Sequence, residues 1–73
     1  MQTTSLVTGK TYNTEEVRYI PNMLQNYKYL NSNRAHDDLV DIIAGGNNKI
    51  VFVWKKSEVM DELYDLWCNK QLG

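Results

Sequence analysis

The chain has 73 residues, 42% of them hydrophobic, with eight basic and nine acidic side chains for a formal charge of −1. A chain of this length holds one core and buries only about 60% of the surface it exposes when unfolded, which excludes a second domain and leaves the first marginally stable. The near-neutral balance excludes a nonspecific nucleic-acid coat, which needs a basic surplus. A lone cysteine, Cys68, excludes an internal disulfide.

An unpaired thiol suits a reducing compartment. Beside Trp67 at the end of an amphipathic segment, Cys68 reads as a small packing residue. Met1 to Thr11 lacks the apolar core of a secretory signal, and no apolar run approaches the ~18 residues of a membrane span. A cytoplasmic location is therefore expected. Two tryptophans and five tyrosines must fill a small core, an interface or both.

Residues 1–11 are polar and threonine-rich around Leu6-Val7, and read as an extended segment or weak edge strand. They end in Thr8-Gly9-Lys10-Thr11, the tail of a phosphate-binding loop pattern, but Thr4 stands where that pattern needs glycine. A turn is the reading. Asn13 then offers a helix cap, with Glu16 at capping-box distance. Val17, Ile20, Leu24 and Tyr27 follow at helical offsets, so a helix with these four facing the core is expected. Pro21 interrupts it, since an interior proline costs about 3 kcal/mol or more. The helix is either short and kinked or begins near Pro21 after an extended lead; the period favours the first.

Residues 27–37 lose that period and gather Asn and Ser, which predicts a loop. His36 has no second His or Cys at ligand spacing, so no metal site is expected there. Leu39 to Ala44 fits either a short helix closed by Gly45 or a strand, because short apolar runs cannot be assigned by period alone. Gly45-Gly46-Asn47-Asn48 supplies the positive-φ residues of a hairpin turn, which selects a hairpin over about residues 38–55. Its second arm puts Ile50, Phe52 and Trp54 on one face and Val51 and Val53 on the other. With both faces apolar it should be the interior strand, its second face covered by the N-terminal segment, a second helix or a partner subunit.

Ser57 can cap a final helix. At 100° per residue Val59, Met60, Leu63, Leu66 and Trp67 share one sector, while Glu58, Asp61, Glu62 and Asp65 share the opposite one. Asn69, Lys70 and Gly73 then end the helix. The expected fold is a single small α+β domain over 1–73, with an antiparallel sheet, a capped N-terminal helix and a C-terminal amphipathic helix.

No catalytic constellation is visible, no cofactor is called for, and the expectation is a protein that is not an enzyme. An acidic stripe opposite an apolar one is what any solvated amphipathic helix shows. Its functional alternative is that Glu58, Asp61, Glu62 and Asp65 contact a basic groove on a partner, as a row of phosphates would. Tyr12, Tyr19, Tyr29 and Tyr64 fall off the apolar faces, where tyrosines favour interfaces.

Asn48-Lys49, Val51-Phe52-Val53-Trp54 and Leu66-Trp67-Cys68-Asn69, in the order hairpin, aromatic strand, helix, resemble small uncharacterised proteins of bacteriophages and mobile elements. The likeness covers about half the chain and rests on core residues. It implies an origin, and with it a host-factor inhibitor of the anti-defence or anti-CRISPR kind in the cytoplasm of a bacterial host. The expected partner is then a host protein, such as a nucleic-acid enzyme with a basic groove. Two alternatives stand beside it: a nucleic-acid-binding regulator using Arg34, Lys49, Lys55 and Lys56, and a module that assembles with its own copies through the second face of the 50–54 strand, for instance as a homodimer.

Overall fold

A computed structural model describes residues 1–72. It contains strands β1 (Gln2–Thr4), β2 (Thr11–Asn13) and β3 (Val17–Ile20), helix α1 (Met23–Asn31), strands β4 (Leu39–Ala44) and β5 (Ile50–Lys55), and helix α2 (Glu58–Cys68). β1 and β2 form an antiparallel hairpin, and β3, β5 and β4 form an antiparallel sheet in that order. The domain is α+β, with a hairpin, a sheet and a pair of helices as successive layers.

β5 is the interior strand, as its two apolar faces require. Trp54 packs towards the helices with Ile20, Tyr29, Ala35, Met60, Leu63 and Leu72, bordered by Phe52 and Trp67. Val53 packs the other way, with Val17 and Val40, and Tyr12 from β2 and Ile43 complete that smaller cluster. Around Val53 the second face of β5 is thus covered by the N-terminal hairpin.

The β4–β5 hairpin forms as its turn residues dictate. Asn47 and Asn48 take φ of 58° and 61°, Lys49 N–H donates to Gly46 O at 3.2 Å and Gly45 N–H to Lys49 O at 2.7 Å. Two consecutive left-handed residues match the twist of the flanking strands. A bulge between Leu39 and Asp41 breaks the alternation, so that Val40 joins the Val17–Val53 cluster while Asp41 also turns towards the hairpin.

Residues 13–31 depart from expectation. Asn13 does cap, accepting from Glu15 N–H at 3.0 Å, but what it caps is a single 3₁₀ turn over Thr14–Glu16. The chain is extended again at Val17, because Val17 to Ile20 pair with Lys55 to Phe52. Ile20 precedes Pro21, which disfavours helical backbone there. α1 starts afresh from Asn22, whose side chain accepts from Gln25 N–H at 3.1 Å. The helix therefore begins near Pro21 after an extended lead, and runs through Asn31 into the segment expected as loop.

The face of α1 is also reversed. Gln25, Asn26 and Tyr29 are buried, whereas Met23, Leu24 and Tyr27 are 54%, 55% and 63% exposed. Asn26 lies inside because both ends of its amide are paired: Trp54 Nε1–H donates to its Oδ1 at 2.8 Å and its Nδ2 donates to Ile20 O at 2.9 Å. Gln25 Nε2 donates to the Tyr29 hydroxyl at 2.7 Å. Tyr29, expected at the surface, meets Trp54 edge to face with ring centroids 5.5 Å apart. Buried amides with every strong partner met cost little, and they orient the Trp54 indole.

α2 matches its pattern throughout. Ser57 Oγ accepts from Met60 N–H at 3.1 Å, Met60 and Leu63 are buried, and Glu58, Asp61, Glu62 and Asp65 are exposed. Lys70, at φ 57°, closes the helix in the left-handed conformation. Its N–H donates to Trp67 O at 3.1 Å and Gln71 N–H to Leu66 O at 2.8 Å, the bond pair of a Schellman stop. That stop turns Leu72 into the core. Cys68 is exposed rather than packed. Gly73, expected to help end the helix, lies outside the described residues.

Candidate interaction surfaces

α2 is anchored at both ends before its outer face is considered. Besides capping the helix, Ser57 Oγ donates to Asp38 Oδ2 at 2.8 Å, tying the helix start to the 3₁₀ turn over His36–Asp38 that leads into β4. With the inner face set in the core and the C-terminus turned by Lys70, the outer face is a fixed platform.

The four carboxylates lie together on that platform but differ in their company. Arg18, on β3, reaches Asp61 Oδ1 at 2.9 Å while its guanidinium carbon lies 5.4 Å from the centroid of the Tyr64 ring. Arg34, in the loop after α1, pairs with Glu62. Among the described residues Glu58 and Asp65 make no ion pair. Exposed ion pairs of this kind contribute about 0–1 kcal/mol, so Arg18 and Arg34 can be displaced or re-paired at small cost. Electrostatically the platform keeps unmatched negative charge at both ends and two exchangeable pairs between them.

The basic residues are dispersed. Lys49 precedes β5 and Lys55 closes it, about 20 Å apart at 3.3 Å per residue. Lys56 Nζ reaches Glu15 O at 3.4 Å, and Arg34 is engaged with Glu62. His36 Nε2 lies 2.7 Å from Leu30 O, to which it donates. Among the described residues there is no group of three or more His, Cys, Asp or Glu side chains placed to hold a metal ion, and no helix is long and apolar enough to cross a membrane.

The segment with the phosphate-loop tail is a turn. Gly9 sits at φ 75° and its N–H donates to Ser5 O at 3.1 Å. Ser5 is buried, and its hydroxyl donates to Asp41 Oδ1 at 2.6 Å while accepting from the N–H groups of Val7 and Thr8. The Tyr12 hydroxyl donates to Asp41 Oδ2 at 2.6 Å, and Ile42 N–H to Oδ1 at 2.8 Å. Thr8 Oγ1 and Lys10 Nζ donate to the carbonyls of Val40 and Leu39.

The sequence carries no sign of this network, because no fixed spacing links Ser5, Tyr12 and Asp41. Burial pushes the Asp41 carboxyl up, but the hydrogen bonds from Ser5, Tyr12 and Ile42 outweigh it and hold the group below the usual carboxylate range. The bond Tyr12 donates to Asp41, with partial burial and the Asp41 charge, pushes the phenol up to about 12. Asp41, the base beside Ser5, is held below the usual carboxylate range and is therefore a weak proton acceptor. The cluster is a fastening between hairpin and sheet. The chain matches no protein-family model, no curated protein and no solved structure.

Proposed function

We propose that this chain is a non-catalytic protein-binding module, and that it acts in the manner of a phage inhibitor of a host factor, in the cytoplasm of a bacterial host. It docks through the outer face of α2 on a basic groove of its partner. The observation that carries this reading is the platform: four exposed carboxylates on one capped helix, with Glu58 and Asp65 unmatched. A partner bearing lysines or arginines at helical spacing gains ion pairs with these two directly. It can also replace Arg18 and Arg34 at Asp61 and Glu62. Such contacts accelerate and orient encounter.

The test is capture from a bacterial lysate by immobilised protein, with recovered partners identified by mass spectrometry. Glu58→Lys with Asp65→Lys reverses only the unmatched acids and leaves both ion pairs intact. That variant should keep its circular dichroism and lose the captured partner, and raising the salt should weaken capture by the parent chain. A partner retained by the double variant, and by the fourfold reversal that adds Asp61→Lys and Glu62→Lys, sinks the acidic-face mechanism.

A further inference from the structure

The outward face of α1 has no counterpart in the proposed function. Met23, Leu24 and Tyr27 stand exposed on a helix whose buried side is polar. On one flank a groove of about 530 Å³ is lined by Pro21, Met23, Lys49 and Ile50. On the other, a groove of about 480 Å³ is lined by Leu24, Lys28, Trp67 and Lys70. Ile50 is 48% exposed, and Lys28 Nζ lies 5.7 Å from the centroid of the Trp67 ring. A contiguous apolar patch rimmed by polar groups on so small a surface marks a contact site.

The charge around it is of one sign. No Asp or Glu occurs between Glu16 and Asp37, between Asp41 and Glu58, or after Asp65, and these three acid-free stretches build α1 and both grooves. The charged rim therefore consists of Lys28, Lys49 and Lys70, with no carboxylate among the described lining residues. We propose that the outward face of α1 and its two grooves form a docking surface for an acidic amphipathic helix of another protein.

Two concave grooves either side of a helix call for discrete apolar anchors about one helix diameter apart, near 10 Å, which on a bound helix is about seven residues. A bilayer has no such anchors, and nucleobases would find only Tyr27 and Trp67 to stack on among Met23, Leu24 and Ile50, with both grooves left unfilled. A second copy supplies carboxylates from α2, but the aliphatic residues of that helix face its own core. The surface is distinct from the acidic platform, so either can fail alone.

The probe is a synthetic peptide of about 16 residues with Leu and Phe at positions i, i+3, i+4 and i+7 and Glu elsewhere. Amide shifts of the isotopically labelled full chain are followed by NMR. The acidic peptide should move the amides of residues 22–28, 48–50 and 67–70, more weakly as salt rises, while its scrambled and lysine-substituted versions should not. Met23→Gln with Leu24→Gln and Tyr27→Gln, all exposed, should lower affinity at least about tenfold with unchanged thermal melting. Lys28→Glu with Lys49→Glu and Lys70→Glu should exchange preference to the lysine peptide.

No shift at about 1 mM peptide overturns the proposal. So do shifts confined to α2, self-association on concentration, or binding only to phosphatidylcholine vesicles carrying about 30% phosphatidylserine.

Discussion

The two faces of β5 are covered by different means. Towards the helices, Trp54 sits in a cluster large enough to be held by apolar burial, with one internal amide, Asn26, setting its orientation. Towards the hairpin the buried apolar residues described are Val17, Val40 and Val53, with Tyr12 and Ile43 at the margin. A two-stranded hairpin is marginal by itself, and so small an apolar patch cannot retain it. Its attachment rests instead on a buried carboxylate and the hydroxyls that meet it. One side of the sheet is stabilised by removal of apolar surface from water, the other by a charge held in place, so the two sides should answer to different perturbations.

The largest expected effect lies on the helix side. Trp54→Ala should cost about 3–5 kcal/mol, a large share of the roughly 4–11 kcal/mol available to a domain of this size, read as a fall in the urea midpoint. Asn26→Leu keeps the side chain's branching, though with more bulk, but strands Trp54 Nε1–H and its bond to Ile20 O, at about 1–3 kcal/mol for each group left unpaired. If it proves neutral, the helix side is held by packing alone.

Asp41→Asn probes the hairpin side. It can accept from fewer of its three donors, and because Tyr12 is only partly buried, water can replace some of the loss, so about 1–3 kcal/mol in total is expected. The loss should appear as early hydrogen exchange in residues 2–13, with exchange in α2 barely changed.

The pH dependence has the same address. Asp41 titrates lower in the folded chain than in the unfolded one, so its contribution is complete above the ordinary carboxylate pKa. It is lost as pH falls below about 4 and through the lower folded value. Tyr12 has the opposite sign: its contribution is complete below about pH 10 and is lost as pH rises towards 12. Acid and strong alkali should both release the hairpin before the helices, and in Asp41→Asn the Tyr12 tyrosinate midpoint should fall from about 12 towards its ordinary value near 10.

The smallest effect is a gain. Lys70→Gly removes the penalty of a side chain at positive φ and should stabilise the chain by about 1 kcal/mol or less. It should raise the thermal midpoint without moving the acid release of the hairpin.

These same differences decide what can be read from the amino-acid order. α2 and the β4–β5 hairpin are legible because their signals are local: a serine cap, a single apolar face, an asparagine pair at a turn. Residues 17–20 mislead for a physical reason. Val17 faces the hairpin and Ile20 the helices, so apolar residues three apart lie on opposite sides of a sheet covered twice, and that spacing imitates one side of a helix. In α1 the error compounds, because Asn26 is acceptable inside only by virtue of Trp54 and Ile20, neither within reach of any local pattern. Of the candidate site, the acidic row was legible from α2 alone. The arginines that meet it come from β3 and the loop after α1, and the Ser5–Tyr12–Asp41 fastening joins segments far apart in the chain.

The central position of β5 also governs the order of assembly. Its neighbours β3 and β4 both precede it, and they do not pair with each other. A chain emerging from the ribosome therefore exposes both flanking strands with no partner until residues 50–55 are made. Hairpin closure with β4 is short-range, but joining Val17 to Lys55 and Ile20 to Phe52 spans about half of the polypeptide and carries the larger loop entropy. Fragments ending before Ile50 contain the β1–β2 hairpin but cannot form the three-stranded sheet. Their unpaired strands and unburied valines would be the species most exposed to aggregation and proteolysis.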